Sequence, residues 1–285
     1  KVETVDVSPK QTFAQGRQMM IMGLSMSVSG ILSAGVAYAI RGYIQNVSSV
    51  DEVGLYQAGF VIMNTYVGFV MNAIATDYYP RLAAINKDNE KCREVVCQQG
   101  EIGTLILAPL LTICLAFMPF VLHLLYSEQF LEANEYISWA CLGMFFRFSS
   151  WIISYLFVAK AESKLFIINE VIANIYYLIF SIVGYKFYGM QGIGAAFALV
   201  YLVYFVQVYL IAQRRYNFNF SDTFIRCYGW QLLIVVVSLF TVLAFEGILK
   251  YSLGISLVVL SAYLGIRGLN KRMDILSVIK NKFGK

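Results

Sequence analysis

Eight apolar stretches, each long enough to cross a bilayer, are separated by connections that alternate between rich and poor in Lys and Arg. A helix rises 1.5 Å per residue, so about 20 mostly apolar residues cross a hydrocarbon core roughly 30 Å thick. The pattern therefore predicts an all-α integral membrane protein with about eight transmembrane helices. The predicted spans are residues 18–40, 53–76, 102–126, 136–159, 165–187, 190–213, 229–249 and 251–266.

The basic residues also predict an orientation. Eighteen of the 22 Lys and Arg residues fall in the N-terminal segment, in the second, fourth and sixth connections, and in the C-terminal tail. The other connections contain only Arg41, Lys186 and Lys250, while Arg147 lies inside a span. Because cytoplasmic connections carry the excess of basic residues, both termini of the chain are predicted to be cytoplasmic. A wrong span count would break the alternation.

Composition agrees with a membrane protein, since 59% of the residues are hydrophobic and only 14% are charged, against about 25% charged in soluble domains. The net charge of +5 is better explained by cytoplasmic connections than by nucleic acid. The five cysteines show no disulfide or metal-binding spacing. We therefore expect no metal, no cofactor and no nucleic-acid partner.

The charge and hydropathy patterns divide the chain into five segments. These are a cytoplasmic N-terminal segment (1–17), six spans (18–213), a cytoplasmic linker (214–228), two additional spans (229–266) and a basic cytoplasmic tail (267–285). The chain begins with Lys and a polar stretch, which is expected of the later part of a longer protein.

Arg147 is the first candidate functional residue, because it lies near the middle of the fourth span, about 16 Å from either end. A central Arg costs at least about 2.5 to 3.5 kcal/mol on insertion scales, so it should face a watery cavity or a partner. Gly143, Ser150 and Ser154 share its helix face. Two interpretations remain open: a fixed charge that attracts an anionic group in transit, and a structural pair with a carboxylate.

Glu170 in the fifth span is the second candidate, about 8 Å from the cytoplasmic end and roughly 10 Å from the level of Arg147. A direct ion pair is therefore not expected unless the helices are tilted or broken. Glu170 is a candidate ion-coupling site through proton exchange, or alternatively a snorkelling or helix-capping carboxylate. Asn174, Tyr177 and Ser181 continue its polar face.

Further polar residues suggest cavity lining. Gln57, Asn64, Gly68 and Asn72 recur along the second span at spacings of seven, four and four. Their amides can line a pore or bind a sugar, or they can join helices. Arg41, at the outer end of the first span, is either a second cationic contact or a headgroup anchor.

Pro80 is expected to end the second span, where Asp77 and Arg81 would clamp the turn in a structural or gating role. Catalysis finds no support in the sequence. The only histidine, His123, lies at the outer end of the third span, and no phosphate-binding glycine loop or H-E-x-x-H motif occurs. We therefore expect that the protein is not an enzyme.

Four motifs occur in order along the chain: VGLYQAGFVI at 53–62, DYYPRLA at 77–83, LYSEQF at 125–130 and YGMQGIGAAFA at 188–198. Together they resemble the polysaccharide flippases of the MATE-like exporter superfamily, the bacterial Wzx type that moves lipid-linked repeat units. The resemblance implies two six-helix lobes around a central cavity that work by alternating access. Residues 18–213 would be the C-terminal lobe and residues 229–266 an extra helix pair, so the first lobe would be absent.

The resemblance implies a flippase of the bacterial inner membrane for undecaprenyl-diphosphate-linked oligosaccharides, in polysaccharide export such as O-antigen or lipopolysaccharide synthesis. Its partners would be the lipid-linked oligosaccharide, membrane lipids and the polysaccharide polymerase machinery. Arg147 would receive the diphosphate or acidic sugars, and the polar contacts would come from Asn64, Asn174, Gln57 and Arg41.

Two alternatives remain open. An ion-coupled drug or metabolite antiporter of the same fold would prefer an acidic cavity, against which the central Arg argues. An integral-membrane glycosyl- or acyltransferase would need a membrane-facing His or an external carboxylate cluster, and the sequence shows neither.

Overall fold

The structure is a computed structural model that describes residues 9–273, and this part of the chain is helical without any strand. The helices are α1 (Pro9–Val47), α2 (Val50–Ile62), a π-helical turn (Met63–Val67), α3 (Gly68–Ala84), α4 (Asn89–Leu125), a 3₁₀ turn (Glu128–Glu132), α5 (Ala133–Ala159), α6 (Ser163–Tyr216), α7 (Asp222–Ala244) and α8 (Gly247–Met273). The all-α prediction is confirmed. The predicted cytoplasmic positions of residues 1–8 and 274–285 fall outside the described residues.

Seven segments within residues 9–273 are long and apolar enough to cross a membrane, and one of them, α6, spans 54 residues. At roughly 80 Å this is too long for one crossing. The helix is broken at Gly189, which has a φ of +55°. Glycine adopts this backbone conformation without steric cost because it has no Cβ atom. A Cβ atom on Gly184 would lie 2.4 Å from the Gly192 carbonyl oxygen, so the helix folds back on itself. The first arm (163–187) and the second arm (190–216) are therefore separate spans, which gives the predicted eight.

One predicted helix end is wrong. Pro80 does not end the second span, because α3 continues to Ala84; a proline removes one backbone hydrogen bond, and here the helix continues for another turn. The charged stretch before the third span is helical and continuous with it. It forms the beginning of α4, whose N-cap Asp88 accepts hydrogen bonds from the backbone N–H groups of Glu90 and Lys91 at 3.1 Å.

The helix α5 lies at the centre of the six-span unit and contacts α2, α3, α4 and both turns, as well as α6. Most of its side chains are buried, including large aromatic ones such as Phe145, Phe148 and Phe157. The helix α1 packs on α6, while α7 and α8 pack on α4 and on each other, and α7 also contacts α5. This arrangement places α5 and α6 around the polar residues of the fourth and fifth spans.

The basic connections meet at one end of the helix bundle. Lys160 donates hydrogen bonds to the Asn86 carbonyl and, at 2.8 Å, to the Asn89 side chain, so the second and fourth connections touch. Arg215 forms an ion pair with Glu162 at 2.6 Å, which joins the fourth and sixth. We call this end, with connections 85–88, 160–162 and 217–221, the basic end. Its existence agrees with the alternation of charge in the sequence.

Close packing of α5 on the second arm of α6 generates a stability prediction. A Cβ atom on Gly194 would lie 2.6 Å from the Tyr136 carbonyl oxygen and 2.9 Å from the Trp139 Cβ, whereas one on Gly35 would meet nothing within 4 Å. We expect Gly194→Ala to lower the free energy of unfolding by about 1–3 kcal/mol through overpacking. Gly35→Ala, also within a helix, should leave it unchanged or raise it slightly.

Thermal unfolding of both variants in the same detergent tests this. Equal stability of the two variants would show that the helices do not approach as closely as described.

Candidate functional site

A polar cavity of about 220 Å³ lies among α1, the π-helical turn, α5 and both arms of α6. Its lining combines one cation, one carboxylate, amides, hydroxyls and aromatic rings. The polar and aromatic members are Ser33, Asn64, Arg147, Ser150, Trp151, Ser154, Glu170, Asn174, Tyr177, Tyr201 and Tyr204, together with Phe60 and Phe197. The structure thus brings together residues from five predicted spans.

Arg147 is half-buried in this cavity, and its partners are neutral. Its Nη1 donates a hydrogen bond of 2.5 Å to Asn64 Oδ1 and lies 3.8 Å from Met144 Sδ. The guanidinium carbon lies 5.4 Å from the centre of the Tyr201 ring, a cation–π distance. None of the ion pairs among residues 9–273 includes Arg147. In this conformation, Arg147 therefore does not form the structural pair with a carboxylate that was the alternative interpretation.

The π-helical turn Met63–Val67 positions Asn64 for this contact. Asn64 Nδ2 donates to the Phe60 carbonyl at 2.8 Å, which leaves Oδ1 directed at Arg147. A π-helical turn holds an extra residue and is often found at functional sites. The predicted polar stripe is not continuous: Gln57 does not line the cavity, and Asn72, which follows the π-helical turn, is exposed.

Glu170 lies in the same cavity and also lacks an ion-pair partner among the described residues. Its Oε1 accepts a hydrogen bond of 2.6 Å from the Tyr204 hydroxyl, and its Oε2 accepts one of 3.0 Å from Ser29. One turn along, Asn174 donates to Ser33 at 3.2 Å. These contacts join α1 to both arms of α6, and Glu170 neither snorkels to the surface nor caps a helix.

The remaining candidates lie elsewhere. Arg41 donates from Nε to the Ala37 carbonyl at 3.1 Å and lies 4.6 Å from the Tyr38 ring centre, outside the cavity. Asp77 and Arg81 form an exposed ion pair of 3.1 Å one turn apart on α3, so they do not clamp a turn. Within the described range no cluster of His, Cys, Asp or Glu could hold a metal ion.

Sequence reasoning missed the contribution of the second arm of α6. Tyr201 and Tyr204 approach Arg147 and Glu170 respectively, and Gln207, one turn further, bonds to Asn169 at 2.5 Å and to Tyr176 at 3.0 Å. The spacing of three between Tyr201, Tyr204 and Gln207 was the available signal, because residues three apart share a helix face.

Chemically, the cavity offers a cation with free donors and a separate carboxylate. The guanidinium has five N–H donors, and Asn64 and Met144 engage only one nitrogen. A volume of about 220 Å³ is below the range of typical pockets for drug-sized ligands, so a phosphate-sized group fits while an oligosaccharide does not. A larger ligand would place only its charged group here.

Comparisons with known proteins agree with these features. A family model described as polysaccharide biosynthesis protein matches residues 3–135. The lipid III flippases of Escherichia coli (strain K12) and Shigella flexneri are each 26% identical to the chain over 168 residues. These alignments cover 58% of the chain and 40% of each relative, so the chain matches less than half the length of these curated relatives.

Among solved structures, the lipid II flippase MurJ in an inward closed conformation matches with a TM-score of 0.66 at 14% identity. The match covers 87% of this chain and 53% of that structure. At this identity the likeness concerns the fold alone, and it extends across nearly all of the eight spans described above.

The Glu170 contacts yield a second prediction. A double-mutant cycle of Glu170→Ala and Tyr204→Phe should show a coupling free energy of about 0.5–2 kcal/mol, because the two groups share a hydrogen bond within the membrane. Unfolding in a fixed detergent–lipid mixture measures it. Tyr176→Phe is the matched control, since its hydroxyl bonds to Gln207 instead. A coupling as large for Tyr176 as for Tyr204 would contradict the assignment.

Proposed function

We propose that this chain, which resembles the polysaccharide flippases of the MATE-like exporter superfamily, forms part of a transporter for lipid-linked oligosaccharides in the bacterial inner membrane. The comparisons support a flippase, a transporter and not an enzyme. The proposed substrate is an undecaprenyl-diphosphate-linked repeat unit for polysaccharide export, such as O-antigen of lipopolysaccharide. Delivery to polysaccharide polymerase machinery is part of the same proposal.

The observation that carries the proposal is Arg147, a guanidinium within the membrane-spanning region without a carboxylate partner among the described residues. A diphosphate is too strongly hydrated to cross hydrocarbon, so a carrier must replace its water with positive charge and hydrogen-bond donors. Arg suits this task because its planar fork stays charged and binds phosphate oxygens bidentately. The polyprenyl tail can remain in the lipid.

Asn64 and Tyr201 support this role of Arg147. The Asn64 amide and the Tyr201 ring hold the guanidinium through neutral contacts, so its full charge is available to an anion. Asn174 and the hydroxyls of Ser150 and Ser154 line the same cavity and are proposed secondary polar contacts. Gln57 and Arg41, which lie outside it, would contact only parts of a larger substrate.

Glu170 is the proposed ion-coupling site. Its carboxylate is held by two hydroxyls and, within residues 9–273, pairs with no cation, so it is available to a coupling ion that enters the cavity. Glu170 is also the specific observation that supports the alternative function, an ion-coupled drug or metabolite antiporter. The two functions differ in which residue contacts the cargo: Arg147 in the flippase and Glu170 in an antiporter of cationic compounds.

The proposed orientation places the basic end in the cytoplasm. In a cysteine-free variant of the full-length protein, we expect Glu128→Cys in intact spheroplasts to react with a membrane-impermeant maleimide. Lys87→Cys, at the basic end, should react only after the membrane is permeabilised. Both positions are exposed, so accessibility of the side chain is matched. Labelling of Lys87→Cys in intact spheroplasts would reverse the orientation.

The transport role is tested by mass spectrometry of undecaprenyl-linked glycans in cells that lack the complete gene. We expect an intact lipid-linked repeat unit to accumulate, and wild type to clear it. Arg147→Ala should insert normally but leave accumulation at the level of the deletion strain. Arg147→Lys, which keeps the charge without the bidentate fork, should clear it partly.

Arg214→Ala is the control for loss of a cation, because Arg214 is exposed and outside the cavity. Full clearance by Arg147→Ala would remove the arginine from the mechanism. Absence of accumulation in the deletion strain would favour the antiporter.

A further inference from the structure

A second charged pocket lies between α4, α7 and α8 and is separate from the central cavity. Its volume is about 470 Å³. Four cations line it: Arg226 from the second turn of α7, and Arg267, Lys271 and Arg272 from the end of α8. We propose that this pocket binds the phosphate-bearing headgroup of an anionic membrane lipid.

The charges in the pocket are not balanced by the described residues. Its only carboxylate, Glu101, is 4% exposed and is already engaged, with Arg272 at 2.5 Å and with the Ser221 hydroxyl at 3.3 Å. Within residues 9–273, Arg226, Arg267 and Lys271 belong to no ion pair. An anion that binds among these three cations would relieve their mutual repulsion.

The packing of the helices holds the cations together. A Cβ atom on Gly265 would lie 2.7 Å from the Leu105 carbonyl oxygen, so α8 lies directly against α4. The Ser261 hydroxyl donates to buried Gln231 at 2.8 Å, and Gln231 donates back to the Ser261 carbonyl at 3.3 Å, which fixes α8 on α7. Arg267 and Lys271 are four residues apart on one face of α8, where like charges repel. The fold therefore maintains this repulsion.

The surroundings favour a lipid over a soluble anion. The cations lie near the ends of two helices that are long and apolar enough to span a membrane, where headgroups would lie, and Leu105 and Leu264 are apolar members of the same lining. Trp230, 63% exposed, lies beside them, as is common for tryptophan at membrane interfaces. A headgroup phosphate among the cations would thus leave its acyl chains beside apolar side chains. Basic pockets between transmembrane helices are a recognised mode of anionic lipid binding.

The test is native mass spectrometry of the full-length protein, titrated in detergent with phosphatidylglycerol or with phosphatidylcholine of the same acyl chains. We expect wild type to retain one phosphatidylglycerol molecule preferentially. The triple variant Arg226→Gln, Arg267→Gln, Lys271→Gln should bind it about a hundredfold more weakly, from roughly fivefold per cation. Arg272 is left unchanged, because it neutralises buried Glu101.

The matched control removes three exposed cations of the basic end that lie outside this pocket, by Lys87→Gln, Lys164→Gln and Arg214→Gln. It should bind phosphatidylglycerol as wild type does. Equal losses in both triple variants, or equal retention of the two lipids by wild type, would overturn the proposal. So would displacement of the lipid by inorganic phosphate at matched concentrations, since the site would then bind soluble phosphate.

A variant that keeps the charges guards against misfolding. Arg226→Lys with Arg267→Lys should retain phosphatidylglycerol within a few fold of wild type, and loss of binding in this variant would contradict a headgroup site based on charge. The proposal is independent of the transport function, because none of these residues lines the central cavity. The test of transport by glycan clearance and the test of the lipid site by lipid retention can therefore fail independently of each other.

Discussion

The structure depends on the rule that polar groups inside a bilayer must find their partners within the protein. The central helix α5 obeys it locally: the hydroxyls of Ser149, Ser150 and Ser154 donate to carbonyls within their own helix. These three hydroxyls need no partner on another helix, and most of α5 is buried. Arg147 is not satisfied within its own helix in this way. It reaches across to Asn64, and the helices around it are arranged so that this contact can form.

A second consequence concerns the one basic and the one acidic side chain of the cavity. Arg147 and Glu170 share one cavity yet do not form an ion pair; one is held by an amide and a ring, the other by two hydroxyls. A buried ion pair would offset both charges and cost desolvation. Separated charges with neutral partners remain able to interact with other ions. Such an arrangement is typical of a site that exchanges ligands, whereas a structural contact between helices would pair the two charges.

Much of this could be predicted from the sequence. Hydropathy and the alternation of charge determined the eight spans, and isolated ionisable residues within spans indicated Arg147 and Glu170. Helical spacing predicted one polar stripe along the second span, but only Asn64 of its amides lines the cavity, and the π-helical turn lies between Asn64 and exposed Asn72. The prediction that Pro80 ends the second span was wrong because a helix can continue for a turn beyond a proline, as α3 does. Tyr201 and Tyr204 were overlooked because tyrosine is common in this chain and carries no charge.

The π-helical turn Met63–Val67 has a further, mechanical consequence for the span that contains it. Over these residues the backbone is wound more loosely than in α2 and α3, so the two helices are out of phase by the angle of about one residue, roughly 100°. If the turn tightened into an α-helix, one half of the span would rotate about its axis relative to the other, and Asn64 would swing away from Arg147. Because Asn64 lies within the turn, the winding of the turn determines whether its amide faces the guanidinium.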